Sequence, residues 1–291
     1  MKRFIVLFLA GWACSITASF AQGGKYRSNK GQFSSTQGFI GLYTGVNFTN
    51  PQITQTYSDF TLTDEDSDIL NDHKVYEDVT ANLGSQFGLS AAFSFSKLLT
   101  VTISPAYNTY KYQYHSQFSW QDEENANNFL EHNYHHEQIL HYLSLPLMVR
   151  FSPAGKRFRP YIQAGGYYNY LLNAQKHVTT EGLDQASGGQ LNFKDAPQST
   201  DISHLYIKSN AGVLAGGGAS YNLGTIIFYL DGQYRYGLHN VASAKQRFSG
   251  SRNIYGFGNV QDDLSFKSIE VSFGCYFPLK FLTKDFKPVI L

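Results

Sequence analysis

The sequence contains little cysteine and no long apolar run. Its 291 residues include two cysteines, Cys14 and Cys275. Cys14 lies in a segment typical of a signal peptide, so the mature chain would keep one thiol and no internal disulfide. No stretch approaches the roughly 18 consecutive apolar residues of a transmembrane helix. If this chain crosses a membrane, it must therefore close its backbone hydrogen bonds as a β-barrel.

Charge is also scarce. Charged residues make up 15% of the chain, against about 25% in an ordinary soluble domain. The formal net charge is +1, which gives no electrostatic basis for binding nucleic acid. Aromatic side chains are in excess, with 23 Phe and 21 Tyr. Aromatic girdles at the two membrane–water interfaces of a β-barrel would account for that excess.

The N-terminus has the pattern of a secretory signal peptide. Lys2 and Arg3 precede a short apolar run, and Ser19-Phe20-Ala21 provides a small-residue cleavage site. Residues 1–21 are thus predicted to be removed, which leaves Gln22 as the mature N-terminus. The alternative is a lipoprotein signal with Cys14 as the lipidated residue. Trp12 stands where such a signal usually has a small residue, which favours cleavage after Ala21.

From residue 38 to residue 279, apolar or aromatic residues alternate with small or polar ones. The alternation predicts eight strands. They cover about 38–48, 83–95, 99–117, 134–151, 160–173, 205–221, 225–238 and 264–279. In the third segment the aromatic parity switches beyond Asn108 to Tyr110, Tyr112 and Tyr114. We interpret this one-residue slip as a β-bulge.

The connections between these strands are alternately long and short. Long polar segments cover residues 49–82, 118–133, 174–204 and 239–263, and short ones cover 96–98, 152–159 and 222–224. Outer-membrane barrels have short periplasmic turns and long external loops. With eight strands, both termini then lie in the periplasm. Residues 22–37 form a periplasmic lead, residues 38–279 the barrel, and residues 280–291 a periplasmic tail.

The alternation alone does not tell the inside of a barrel from its outside. A soluble lipocalin-like barrel would bury the apolar face. Here the polar face carries mainly small residues, which suit a crowded lumen, and the apolar face has Tyr and Phe near strand ends. We therefore predict an all-β fold: an eight-stranded antiparallel up-and-down transmembrane β-barrel with four long extracellular loops and three short periplasmic turns. Its location would be the outer membrane of a Gram-negative cell, as a monomer in contact with outer-membrane lipid.

Clusters of polar residues suggest chemistry, but each also has a simpler explanation. One cluster lies at the outer end of the fourth strand and comprises Glu131, His132, His135, His136, Glu137 and His141. Such residues bind zinc or copper, or orient a catalytic base. However, His135 and His136 point to opposite faces of a strand, and no nucleophile motif accompanies them. A polar rim above the membrane is the favoured interpretation, so no catalytic, cofactor-binding or metal-binding residue is predicted.

Three further segments admit similar alternatives. The first long loop has eight carboxylates between Asp59 and Asp78, which suggest Ca²⁺ binding or, preferably, a solvated acidic loop. The second long loop, from Trp120 to Leu130, suggests a short helix or an irregular lid. Gly216-Gly217-Gly218 lies inside a strand and lacks the lysine and helix of a phosphate-binding loop.

Charged residues on the predicted inner face suggest a buried network. Asp231 and Arg235 of the seventh strand share the small, polar face with Glu270 of the eighth. A buried charge is tolerable only when it is paired. We therefore predict that Arg235 forms an ion pair with Glu270, Asp231 or both inside the barrel.

Several segments resemble one known family. The segments HYLSLPL from His141 and RPYIQAGG from Arg159 are similar to the central hairpin of the PorT-like outer-membrane β-barrels of Bacteroidota. GGGA from Gly216 and DGQYRYGL from Asp231 resemble the next hairpin, and residues 268–277 the closing strand. The resemblance covers most of residues 38–279. It implies a small eight-stranded barrel and no catalytic residues, and some relatives serve type IX secretion and gliding.

Three hypotheses of function follow. The favoured one is a structural or interaction protein, such as an accessory of a secretion or envelope complex, without enzyme activity. The second is a barrel enzyme that acts on lipid or peptide at the outer leaflet. The third is an adhesin or ligand-binding barrel that works through its loops. At eight strands the lumen is just filled by side chains, which argues against a general diffusion pore.

Overall fold

The structure, a computed structural model, describes residues 37–57, 74–78, 82–122, 124–125, 127–153, 157–185, 191–247 and 260–279. The predicted signal peptide, nearly all of the periplasmic lead, the C-terminal tail and most of the acidic first loop lie outside these residues. Among the described residues, no helix is long and apolar enough to cross a membrane.

Twelve β-strands make up almost all of the described structure. They are β1 (Gln37–Gln55), β2 (Val75–Tyr76), β3 (Leu83–Ser94), β4 (Leu99–Ile103), β5 (Ala106–Gln121), β6 (Phe129–Phe151), β7 (Phe158–Asp184), β8 (Leu191–Lys194), β9 (Gln198–Asp201), β10 (Ser209–Asn222), β11 (Ile227–Gly237) and β12 (Asp263–Pro278). A 3-10 turn, Ser203–Leu205, precedes β10.

Antiparallel pairing closes these strands into a barrel. β1 pairs with both β3 and β12, and the ring continues through β11, β10, β7 and β6 to the combined β4–β5 segment and back to β3. Counted with β4 and β5 as one segment, the ring has the eight strands that the sequence predicts. The short β2 adds to β5, and the short β8 and β9 add to β7.

The barrel wall has two zones with opposite polarity. In the lower zone, nearer the short turns, β6 exposes Leu143, Leu145 and Leu147 outward and buries Ser144 inside. This confirms the predicted parity and produces the apolar outer band of a membrane barrel. In the upper zone aromatic rings face inward and polar side chains face outward. In β5, for example, Tyr112 and Tyr114 are buried, whereas Lys111, Gln113 and His115 are partly exposed.

The predicted bulge in the third strand is wrong. Leu99 lies opposite Phe151, and Ala106 lies opposite Ser144, so β4 and β5 keep one register along β6. The ladder is only interrupted near Pro105, which has no N–H to donate. The aromatic parity switches because the apolar side of the wall changes from outside to inside above the membrane band.

Other differences concern strand length. β1, β6 and β7 extend beyond the predicted segments, and β7 continues for 11 residues after Asn173. A real bulge occurs there, because Asn173 lies opposite His141 whereas Leu171 lies opposite Tyr142. Beyond this bulge the inward-facing residues of β7 change from odd to even positions. The alternation in the sequence therefore breaks at Asn173, and the sequence alone does not reveal that the strand continues. In the segment from Trp120 to Leu130 the described residues form no helix: the two ends of the segment pair with each other as the ends of β5 and β6.

The short turns follow ordinary local chemistry. Gly224 has a φ of +104°, in the left-handed region that favours glycine. The side chain of Asn222 accepts a hydrogen bond from the N–H of Gly224 at 2.7 Å. This tight connection joins β10 to β11 at the lower end of the barrel.

Candidate functional site

The barrel interior holds a buried ion pair at mid-height. Arg235 Nε lies 2.9 Å from Glu270 Oε2, and the two side chains are 1% and 0% exposed. Gln233 Nε2 donates to Glu270 Oε2 at 2.8 Å, and Arg235 Nη1 donates to the Tyr110 hydroxyl at 3.2 Å. The Arg235–Glu270 pair predicted from the shared face is therefore confirmed.

Asp231 has a different partner. Arg150 of β6 lies on the far side of the interior, and its Nη2 is 3.4 Å from Asp231 Oδ2. The Tyr161 hydroxyl also donates to Asp231. Gly218 makes room for this group, since a Cβ there would lie 2.6 Å from Asp231 Oδ1. The sequence offered Arg235 as a partner of Asp231 because contacts between neighbouring strands can be predicted from sequence. Contacts across the lumen, such as that between Asp231 and Arg150, cannot.

Aromatic rings and small hydroxyl groups fill the lower end of the interior. Tyr229 and Tyr276 stack with ring centroids 4.6 Å apart. The Tyr276 hydroxyl lies 2.8 Å from Ser90 Oγ, and the Tyr43 hydroxyl donates to the Ser104 carbonyl at 3.0 Å. Side chains therefore fill this eight-stranded barrel, as expected for its width.

The upper interior is a core rich in tyrosine. Tyr112, Gln138 and Tyr206 are buried together, and the Tyr112 hydroxyl donates to Gln138 Oε1 at 2.9 Å. Gln261 Nε2 donates to the same hydroxyl at 2.8 Å. Burial raises the pKa of Tyr206 well above its usual range, so the phenol stays protonated and can donate.

A buried contact, which we call the loop clasp, joins the first and fourth long loops above this core. It consists of Lys74, Tyr76 and Asp262. Lys74 Nζ lies 2.9 Å from Asp262 Oδ1, with side chains 2% and 0% exposed. The Tyr76 hydroxyl donates to Asp262 Oδ2 at 2.6 Å. The clasp holds the bases of two loops together over the mouth of the barrel.

The structure separates the predicted His/Glu cluster. His135 faces outward and His136 inward, as their adjacent positions predict. His141 faces outward at the top of the apolar band, where its Nδ1 lies 2.7 Å from the Tyr107 hydroxyl. His132 Nδ1 lies 2.8 Å from the Tyr134 hydroxyl. These side chains therefore do not share one site.

One serine–histidine contact resembles a catalytic pair in its geometry. Ser116 Oγ lies 2.9 Å from His136 Nε2. A nucleophile of this kind needs access to substrate and a group that orients the histidine. Both side chains are buried, and His136 Nδ1 has no hydrogen-bond partner within the described part of the chain. The contact therefore fits core packing better than catalysis.

Above the apolar band, the outer wall of β5, β6 and β7 forms a polar surface, which we call the upper wall. It carries a cleft of about 360 Å³. The cleft is lined by Glu77, Gln113, Tyr114, His135, His136, Glu137, His177, Thr179 and Pro197. The sequence alone did not predict that His135 lies near Glu77, His115 and His177. Only the cross-strand register brings them together.

Comparison with known proteins agrees with this architecture. A family model described as "Outer membrane protein beta-barrel domain" matches residues 20–243. No curated protein matches the chain.

Solved structures similar to this chain include three small outer-membrane proteins. OprG of Pseudomonas aeruginosa is 13% identical, with 84% of this chain and 97% of that chain covered and a TM-score of 0.37. Neisserial surface protein A is 11% identical, with 84% and 99% covered and a TM-score of 0.32. Ail, the attachment invasion locus protein of Yersinia pestis, is 11% identical, with 83% and 99% covered and a TM-score of 0.29.

Proposed function

This chain belongs to the outer membrane protein β-barrel domain family and lies in the outer membrane, and from that premise we propose that it is a non-enzymatic structural or interaction protein. Its barrel anchors the upper wall and the long loops, which bind another envelope protein. The short turns face the periplasm and the upper wall faces outward. The resemblance to PorT-like barrels of Bacteroidota supports an accessory role in a secretion or envelope complex.

The filled interior is the observation that carries this proposal. Two buried ion pairs and stacked tyrosines occupy the lumen from the lower end to the loop clasp. A barrel whose described interior is packed in this way is not expected to pass solutes. Ser116 and His136 are buried, and no described group orients the histidine for catalysis. The surfaces left for function are therefore on the outside.

The length of the strands supports the choice of surface. A transmembrane strand needs about 9–11 residues, whereas β6 has 23 and β7 has 27. The additional residues carry polar side chains on the outer wall, including His135 and Thr179. The upper parts of β6 and β7 lie beyond the lipid, and their outer side is polar. Contact with another molecule best explains why the strands continue so far.

In-cell photo-crosslinking tests this proposal. A photoreactive residue at Gln113 or Thr179 on the upper wall should yield defined protein adducts. A matched residue at Leu145, in the lipid-facing band, should yield none. Equal adduct patterns at all three positions, or adducts at Leu145 alone, would refute binding by the upper wall. If the adducts come from a second cell or a host protein, the chain is an adhesin instead.

Two further measurements test the orientation and the filled lumen. With Cys275 replaced by serine, an impermeant thiol reagent should label a cysteine at Asn127 in intact cells and not one at Lys97. The reverse pattern would invert the orientation. Vesicles that contain the purified barrel should stay as impermeable to small sugars as empty vesicles, and rapid swelling would show an open pore.

A further inference from the structure

Three side chains from separate segments, Glu77, His115 and His135, lie near one another on the upper wall. His115 of β5 lies directly opposite His135 of β6, and Val75 of β2 lies opposite His115 on the other side. Two residues later, the N–H of Glu77 donates to the Gln113 carbonyl at 2.9 Å. This bond fixes the backbone of Glu77 beside β5, so its carboxylate reaches His115 diagonally.

The distances among these groups approach those of a metal site. His115 Nδ1 lies 3.7 Å from Glu77 Oε1, and the rings of His115 and His135 have centroids 6.2 Å apart. A tetrahedral centre with bonds of about 2.1 Å would place two ligand atoms about 3.4 Å apart and two imidazole centroids about 5 Å apart.

The arrangement is open rather than closed. Among the described residues, no three His, Cys, Asp or Glu side chains already converge on one metal-sized position. The gap is about 1 Å between the two rings, by comparison with that tetrahedral geometry. Rotation about the side-chain torsions closes a gap of this size without moving the strands.

We propose that Glu77, His115 and His135 bind a divalent transition-metal ion of the Zn²⁺ type. Two imidazoles and one carboxylate form a donor set that zinc uses in three-ligand sites, with water at the fourth position. Ca²⁺ and Mg²⁺ require mainly oxygen ligands, so the two imidazoles select against them. The ion would bridge the residue that follows β2 to β5 and β6 on the outside of the barrel.

The surroundings favour this set of three. Two other carboxylates nearby already have cations. Glu137 is paired with Lys111 and accepts a hydrogen bond from Gln113 Nε2 at 3.4 Å, and Glu181 is paired with Lys194. Glu77 and His115 are each 42% exposed, so an ion reaches them from solution with little cost of desolvation. The site lies on the same upper wall that is proposed to bind a partner, but its test uses the isolated protein and Zn²⁺, so either proposal can fail without the other.

Calorimetric titration with ZnCl₂ tests the site, on the full-length barrel folded in detergent and purified without a polyhistidine tag. The wild type should bind one Zn²⁺ per chain. Each of Glu77→Gln, His115→Asn and His135→Asn should weaken binding by roughly tenfold or more, since even changes around metal ligands commonly cost 10–100-fold. His239→Asn is the matched control, because His239 is an exposed histidine elsewhere, and it should bind as the wild type does.

A second readout separates a site from loss of folding. Zn²⁺ should raise the unfolding temperature of the wild type and of His239→Asn, but not of the three ligand variants, whose metal-free unfolding temperature should equal that of the wild type. Co²⁺ should give the intense visible bands of a tetrahedral centre. Unchanged Zn²⁺ affinity in all three variants, or several weak sites per chain, would overturn the proposal.

Discussion

Removal of Arg235 alone should destabilise the barrel strongly. Glu270 is fully buried, and its carboxylate is neutralised by Arg235 at 2.9 Å. Arg235→Met keeps much of the side-chain volume but leaves that carboxylate buried without its cation. Breaking a buried pair in this way costs about 3–5 kcal/mol. At roughly 2–4 °C per kcal/mol for a chain of this size, the unfolding temperature should fall by on the order of 10 °C.

The double variant distinguishes an unpaired charge from lost packing. In Arg235→Met/Glu270→Gln, the neutral amide still accepts the hydrogen bond from Gln233 that Glu270 accepts at 2.8 Å. Most of the lost stability should therefore return, because well-packed neutral replacements of buried pairs are often close to neutral in stability. Arg157→Met, at an exposed turn, is the matched control and should have no effect.

The assay follows the shift in gel mobility between folded and heat-unfolded barrel over a temperature series. If Arg235→Met unfolds at the wild-type temperature, the ion pair contributes nothing and the buried charge must be compensated otherwise. If the double variant is as unstable as the single one, packing by the guanidinium rather than its charge is the cause.

Three other changes test other parts of the molecule. Lys74→Met leaves Asp262 buried in the loop clasp without the cation of Lys74. It should lower the free energy of unfolding by about 3–5 kcal/mol and speed protease cleavage of the long loops. Unchanged cleavage would argue against the clasp. Burial, and then Lys176 and Lys74, hold the pKa of His136 well below its usual range, whereas the unfolded side chain binds a proton below about pH 6.5. The contribution of neutral His136 to stability is thus complete above that pH and is lost as the pH falls. The wild type should therefore lose stability below about pH 6.5 faster than His136→Gln does. Parallel stability profiles of the two proteins against pH would contradict this prediction. Phe277→Asp puts a charge on the lipid-facing side, at a cost below the roughly 2–4 kcal/mol of Arg or Lys at the bilayer midplane, and should abolish insertion, whereas Phe277→Tyr should not. Normal membrane levels of the Asp variant would contradict the assignment of that face.

The sequence predicts the lower barrel well because lipid imposes one rule there. Every second residue of a membrane-spanning strand must be apolar and face outward, so Leu143 and Leu145 indicate both the strand and its orientation. The same rule places Arg235 and Glu270 on the inner side of neighbouring strands. Their contact could be predicted because neighbouring strands of an up-and-down barrel follow one another in the sequence, as β11 and β12 do.

Beyond the lipid the same rule fails. The continuation of β7 after Asn173 is hidden by a bulge and by inward polar residues such as Lys176. The loop clasp joins Lys74 to Asp262, which are 188 positions apart. The proposed metal ligands come from separate segments, and His115 becomes a neighbour of His135 only through the register of β5 and β6. Tertiary pairing of this kind leaves no local pattern in a sequence.

The change of polarity along the wall explains how a sheet can stand above the membrane without disulfides. Water surrounds the upper wall, so its apolar groups must lie inside, where tyrosines pack around Tyr112 and Leu140. Tyrosine suits a narrow lumen because its ring packs while its hydroxyl finds a partner. The upper barrel thus has a core of its own, which does not depend on lipid. A core of this kind holds β5, β6 and β7 rigid, and a rigid outer wall is what a partner or a metal ion needs to bind with defined geometry.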